Sequence, residues 1–594
     1  MCFFYYICDF IGCEPFDCQL LKQVVLWQPS FVTSRHGLWN PCIDFIHSIV
    51  QFIKKTMRKK LVLGVLLLSQ TLMWAQGPNQ TGRYYATADG TKGKSLKTAL
   101  HQIIKNPDVD SYDQLWVDYK YSDVDRNGYI MDLYSIMSYY EYYTHQQGVV
   151  KVTSGNAGEG ICYNREHSMP KSWFGGIGAL PMATDLMHVF PTDYYVNSRR
   201  NNYPYGTTSG EKFTSYGGFS KFGKSTNTAY DGLVFEPNKE YKGDLARVYF
   251  YMATCYENDI PTWTSVTSSA SNKVQEIFSG NAHTPFVPWV MELLMKWAKE
   301  DPVSQKEIDR NNMVYRIQGN RNPFVDFPGL EEYVWGKQQQ KVFRYGNYAG
   351  AHYTSGTITE PTTPFDASTV KASKGTQTYE KVDYSGDLEL GASYLIVNET
   401  YGQGMGDIVV ISKKTQRSPM AVEINGDRLT TKFNTGYSPH ELILGGKRGE
   451  YTLYDPATGS YLALNAAATQ LDVENSRSSN TAKWSIKFDR GNVKIKNVAF
   501  PEYFICYNTT ASNPRFSTCK SSSRYNAYPQ LYKKVDSLRD ATAIDNPETE
   551  AGSPAVEVYT LQGVKVRTAA SYAEAMENLP QGLYIVNGKK VRVQ

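Results

Sequence analysis

Apolar residues recur at helical spacing in several stretches of the first half of the chain. Leu96 to Ile104 (LKTALHQII) places its apolar side chains on one face and predicts an amphipathic helix. Leu245 to Tyr256 (LARVYFYMATCY) is apolar nearly all round, the pattern of a buried helix. Val290 to Ala298 (VMELLMKWA) is amphipathic and stops at Asp301-Pro302, after which Ser304 to Gln318 reads as a further helix. Between 346 and 370 the composition shifts to Gly, Thr, Pro and Ala, which predicts a linker. The pattern then changes period. Tyr394 to Asn398 (YLIVN), Ile408 to Ser412, Tyr451 to Tyr454 and Trp484 to Phe488 (WSIKF) are short runs of β-forming residues between Gly, Asn and Asp turns. Residues 371–535 therefore read as an all-β module, barrel or trefoil-like. A second linker is expected at 536–553. Alternating positions around Gly563 and Gly582 predict a small β-sandwich-like tail over 554–594.

A chain of 594 residues exceeds what one core supports, so two to four units are expected. The 45 tyrosines suit β-structure and half-exposed binding faces. A formal charge of +4 argues by itself for neither nucleic acid nor membrane. Met57-Arg58-Lys59-Lys60, then apolar Leu61 to Leu68, then Ala75-Gln76, has the layout of a secretory signal peptide over 57–75. Residues 1–56 precede it without readable periodicity and hold Cys2, Cys8, Cys13, Cys18 and Cys42. They are expected to be a spurious extension, with Met57 the true start and Gln76 near the mature N-terminus. No later run approaches the roughly 18 apolar residues of a membrane span. Export makes disulfides possible, and Cys506 and Cys519 can pair; Cys162 and Cys255 are left undecided.

Two motifs invite a reading that their surroundings do not sustain. Gly218 to Ser225 (GFSKFGKS) matches the phosphate-loop pattern, but the residues after it, TNTAYDGLVFEP, have no helical period to supply the amides that cradle phosphate. Asp123 to Gly128 (DVDRNG) opens like a calcium loop, yet its twelfth position is Tyr134 where a bidentate carboxylate is needed. The first is expected to be a Gly/Lys loop and the second a turn.

The segment Tyr163 to Gly206 is different in kind. It concentrates Glu166, His167, Asp185, His188, Asn197, Arg199 and Arg200. Phosphodiester hydrolysis needs a base to activate water, a cation to neutralise phosphate oxygens, and help for the leaving oxygen. His is the natural base near neutral pH. Carboxylate and amide oxygens suit a hard ion such as Mg²⁺ or Ca²⁺. Adjacent residues of a strand point to opposite sides, so Glu166 can grip an ion while His167 reaches the water. Asn197 opens VNSRRNN, which reads as a helix.

With its neighbours SYDQLW, MDLYS, VFEP, KGDLARVYFYMATCYE and IQGNRNPFVDFP, this segment resembles the bacterial endonuclease I family over about 83 to 335. The resemblance implies an α+β catalytic domain at 76–345 with a ββα-metal site, cutting DNA and also RNA with little sequence preference and leaving 5′-phosphates. Glu166 and Asn197 match the metal ligands, for Mg²⁺ or else Ca²⁺ or Mn²⁺, and His167 matches the general base. Residues 172 to 184 lack the Arg that some members use on the transition state. That role passes to Arg200, Arg199 or Lys171, of which Arg200 is assigned as catalytic. Arg165, Lys171 and Arg199 are assigned to the substrate, and His188 and Asp185 to supporting positions behind the ligands. Acidic and basic groups nearly balance over 76–345, so any phosphate track is local.

The tail, with LQGVKV and LPQGLYIV, resembles type IX secretion sorting domains and implies that machinery as a partner. The protein is expected to be a monomer, secreted or at the cell surface. The competing class is a surface adhesin or glycan-binding protein whose β-module does the work beside an inert nuclease-like domain.

Overall fold

The computed structural model describes residues 77–535 apart from 138, 154, 156, 267–273, 355–363, 434–437, 511 and 524–525, together with four strands between 556 and 593. The expected extension and signal peptide lie outside the described residues, as do residues 355–363 of the first linker and all of the second at 536–553.

The first region opens with a two-residue strand, β1 (Gly77–Pro78), and then α1 (Gly93–Ile104). Leu96, Leu100 and Ile104 recur every four residues, and all three are buried. A short helix, α2 (Leu115–Ser122), follows. The strand pair β2 (Tyr163–His167) and β3 (Val189–Asp193) comes next and runs directly into α3 (Tyr194–Arg200). A three-stranded meander, β4 (Phe213–Thr214), β5 (Lys221–Lys224) and β6 (Leu233–Glu236), leads to α4 (Lys242–Cys255). Every residue of α4 from Gly243 to Cys255 is buried, as its all-round apolar sequence predicts. It packs against α5 (Pro288–Glu300), and its Tyr249 hydroxyl donates to the Ser168 carbonyl just past β2. The last long helix, α6 (Gln305–Gln318), starts in a Ser304/Glu307 capping box and ends at Gly319, whose φ of 79° favours glycine. The four predicted helices are thus present.

The phosphate-loop look-alike forms β5 in the meander, with strand and not helix after it. The calcium-loop look-alike is a turn in which the Asp125 carboxylate accepts from the Asn127 and Tyr129 amides. Asp123, its first residue, is paired with Arg310 at 2.7 Å. Packing of the first region continues past 345. Tyr345 and Tyr348 are buried in its core, and β7 (Tyr353–Thr354) pairs antiparallel with β1. Tyr345 just before the Gly-rich stretch and Tyr348 inside it tie its start down.

The second region is a large, wholly antiparallel β-structure with its own core, including Tyr394, Ile396, Leu444, Trp484 and Ile505. Its first strand, Gly375–Val382, pairs with its last, Gln530–Lys534, so the two chain ends of the module are stitched together. Cys506 and Cys519 on neighbouring strands form a disulfide, while Cys162 and Cys255 are free and buried. The strands at 556–560, 565–569, 582–586 and 589–593 form a separate four-stranded antiparallel sheet. Among the described residues no helix is long and apolar enough to cross a membrane.

Candidate active site

β2 sorts its side chains by the alternation of a strand. Its register against β3 sets Asn164 opposite Thr192, Glu166 opposite Phe190 and His167 opposite Val189. Asn164 and Glu166 share one face, and Arg165 and His167 the other. The α3 helix begins at the end of β3, where the Asp193 carboxylate caps it by accepting from the Val196 amide at 2.8 Å. That entry brings Asn197 and Arg200 over the Glu166 face.

On this face Oε1 of Glu166 accepts from the Tyr134 hydroxyl and from Nη1 of Arg200, both at 2.8 Å. Asn197 donates from Nδ2 to Oδ1 of Asn164 at 2.8 Å and lies close enough to the Glu166 carboxylate to favour its ionised form. Burial raises the Glu166 pKa above the ordinary carboxylate value, opposed by Arg200, Tyr134, Asn197 and Lys171. Arg200 is itself 1% exposed and also donates to the carbonyls of His167 (3.0 Å) and Ser168 (2.6 Å). Burial alone would weaken its protonation; Glu166 and the surrounding tyrosines outweigh that and raise its pKa. Arg200 therefore sits behind Glu166, holding it and the end of β2, with its charge already committed. Tyr134 is anchored in turn by the Tyr205 hydroxyl at 2.6 Å.

The opposite face carries the imidazole. Nε2 of His167 lies 2.9 Å from the Ala183 carbonyl, which can only accept. Nε2 thus bears the proton and Nδ1 keeps a lone pair. Nε2 of His188 donates likewise to Met182 at 2.7 Å. One short helical turn, Met182–Thr184, thereby orients both rings, whose centroids are 5.6 Å apart. Burial, then the neighbouring His188, pushes the His167 pKa down to about 3 and keeps the ring neutral. Burial lowers His188 as well. The turn is held by Asp185, fully buried. Its carboxylate accepts from the hydroxyls of Tyr251 and Tyr256 at 2.8 and 2.7 Å and from the Gln318 amide at 2.7 Å.

The remaining assigned cations divide by exposure. Lys171 is exposed and close enough for its charge to act on both Glu166 and His167. Arg199 is exposed on α3 and donates to the Tyr195 hydroxyl at 2.6 Å. Arg165 is only 14% exposed at its side chain, packed 3.5 Å over the Tyr112 ring and bonded to the Asp113 carboxylate. The structure thus brings Glu166, His167, Asn197, Arg200, His188 and Asp185 together. Sequence reasoning missed Tyr134, Asn164, Tyr205 and Tyr112. The only signal for Tyr134 and Tyr112 was their place inside MDLYS and SYDQLW.

The donor set fits a hard divalent cation. Glu166 has a carboxylate whose ion pair with Arg200 runs through Oε1, and the Asn197 amide, whose nitrogen is bonded to Asn164, carries an oxygen of the type such an ion takes. Among the described residues no cluster of three or more His, Cys, Asp or Glu has metal-binding geometry. A two-ligand site of this kind leaves most coordination positions to water and phosphate, as Mg²⁺ prefers.

A family model for endonuclease I matches residues 92–329. An extracellular ribonuclease of Bacillus amyloliquefaciens is 34% identical over 278 residues, covering 46% of this chain and 85% of that protein. An extracellular ribonuclease of Bacillus subtilis (strain 168) is 33% identical over 258 residues, covering 43% and 79%. Endonuclease-1 of Buchnera aphidicola subsp. Baizongia pistaciae is 27% identical over 142 residues, covering 24% and 46%. A buried acid and a neutral imidazole lie on one strand, facing opposite ways beneath a helix, inside the matched residues. The chain belongs to the endonuclease I family and is a phosphodiester hydrolase.

Proposed function

We propose that the chain is a secreted, divalent-metal-dependent nuclease that hydrolyses DNA and RNA with little sequence preference and leaves 5′-phosphates. The observation that carries this reading is the divergence of Glu166 and His167 on β2, with Asn197 facing the acid from α3. The relatives named as ribonucleases favour RNA among the substrates, and the one named endonuclease favours internal cleavage.

Glu166 and Asn197 would hold Mg²⁺, which supplies charge neutralisation at the phosphate and at the departing 3′-oxygen. Nδ1 of His167 takes a proton from the attacking water, while Nε2 stays bonded to the Ala183 carbonyl. The water oxygen bonds to phosphorus, the P–O3′ bond breaks, and the 5′-phosphate remains on the other product. Arg200 keeps Glu166 ionised and in place. Lys171 and Arg199, both exposed, draw in the phosphate backbone.

The extracellular names of the relatives favour export through the leader starting at Met57. We extend the proposal to a trefoil-like form for residues 371–535 and to type IX sorting for the tail, supported by the antiparallel pairing of both. The test is cleavage of supercoiled plasmid and of a mixed-sequence RNA by the full mature chain. Cutting in Mg²⁺, abolished by excess chelator and restored by added Mg²⁺, is expected. Unchanged cutting in chelator contradicts the metal.

A further inference from the structure

We propose that the β-module is an arm of the active site. It grips the segment 108–114, and Tyr112 on that segment is a positioning residue for His167. The inference rests on reading His167 as the base.

The segment has no ladder or helix of its own between Pro107 and Ser111, so its place depends on groups supplied from outside. On one side lies β2. The Tyr112 ring stacks on the His167 imidazole, with centroids 5.8 Å apart and planes 24° apart. The Arg165 guanidinium covers the same ring at 3.5 Å, and Arg165 also donates to the Tyr112 carbonyl and, at 3.3 Å, to the Asp113 carboxylate. On the other side lies a hairpin of the β-module, Trp484–Asp489 and Asn492–Asn497. Lys487 donates to the carbonyls of Asp108 at 2.6 Å and Val109 at 3.1 Å, and pairs with the Asp108 carboxylate at 2.7 Å. Ser111 donates to Asp489 at 3.2 Å, and the Arg490 amide donates to Gln114 at 2.9 Å.

His167 has one hydrogen bond through its ring, from Nε2 to Ala183. A single bond fixes one point of an imidazole and leaves its plane free to tilt. The flat face of Tyr112 restrains that plane together with the His188 ring, and Lys487 holds the backbone at Asp108 and Val109, four and three residues before Tyr112. Misplacing a reacting group by about 1 Å can cost about 10²-fold in rate, so a grip of this kind matters to catalysis even at one remove.

The test uses the full mature chain with plasmid and Mg²⁺, comparing Tyr112→Ala, Tyr112→Phe, Lys487→Met and the Tyr112→Ala/Lys487→Met pair, with His167→Ala as reference. Tyr112→Ala is expected to lower kcat about 10²-fold with KM nearly unchanged. Tyr112→Phe, which keeps the ring, stays close to wild type. Lys487→Met lowers kcat in the same sense, and the double variant falls short of the product of the single effects because both act through one segment. Asp489→Ala, which removes the Ser111 partner, replaces Lys487→Met if that variant fails to fold. Folded module variants with wild-type kcat beside an inactive His167→Ala overturn the inference and leave the nuclease reading intact. A raised KM at unchanged kcat for Tyr112→Ala makes Tyr112 a substrate contact and also overturns it. An active His167→Ala removes the reading on which the inference stands.

Discussion

Arg200 reaches Glu166 from α3, donating to Oε1 at 2.8 Å from a position with 1% exposure. An ion pair so placed holds a carboxylate rigid, but it also makes each partner dependent on the other. Removing one member of a buried pair leaves an uncompensated charge and costs about 3–5 kcal/mol. Arg200→Ala is therefore expected to lower unfolding stability by that amount, read from chemical denaturation, and to abolish cleavage. Arg200→Lys is expected to rescue little, because an ammonium cannot reproduce the fork that meets Glu166 and two carbonyls. Arg199→Ala, one residue earlier and exposed, should leave stability within about 0.5 kcal/mol.

Tyr134 donates to the same carboxylate oxygen and is held by Tyr205. Tyr134→Phe keeps the ring and removes only the hydroxyl. A hydrogen bond to a charged group contributes about 1.5–3 kcal/mol, so a stability loss in that range is expected. Losing this donor also raises the Glu166 pKa further, and the metal-binding midpoint should move to higher pH. A Tyr134→Phe variant with unchanged stability and metal affinity would show that the hydroxyl contributes nothing.

The buried histidines set a pH dependence of stability in the metal-free protein. In the unfolded chain an imidazole takes its proton near pH 6.5, whereas folded His167 does so only near 3. Between those values the unfolded state binds more protons, so stability rises with pH and is lost as pH falls through the window. His188 is shifted in the same direction and adds to the slope. Unfolding free energies from pH 4 to 7 should show a steeper rise for wild type than for His167→Gln. Equal slopes would mean that His167 titrates like an exposed imidazole.

Lys171 is the exposed cation whose charge reaches both faces of β2. Its replacement by Ala should raise KM for DNA and reduce the slope of log affinity against log salt by about one. An unchanged salt slope would remove Lys171 from the phosphate track.

The helices and the change of period at the β-module were legible because apolar spacing is a local property. The apolar run of α4 shows its burial, though not that of Asp244 and Arg247 within it, and WSIKF shows its strand. Glu166 and His167 were legible as a divergent pair because neighbours on a strand must point apart. The burial of Arg200 was not. Arg199 and Arg200 are chemically identical neighbours, and only the angle at which α3 leaves β3 decides which faces inward. Tyr112 and Tyr134 were equally hidden among 45 tyrosines, since their partners lie 55 and 32 positions away along the chain. Contacts at such separations come from the tertiary arrangement, which no local pattern encodes.

The central claim is that the His167 imidazole activates the attacking water. Full-length His167→Ala should bind plasmid DNA like wild type and cleave it about 10²–10⁴-fold more slowly in Mg²⁺, the loss expected on removal of one acid–base group. Wild-type cleavage by a folded His167→Ala protein would contradict that claim.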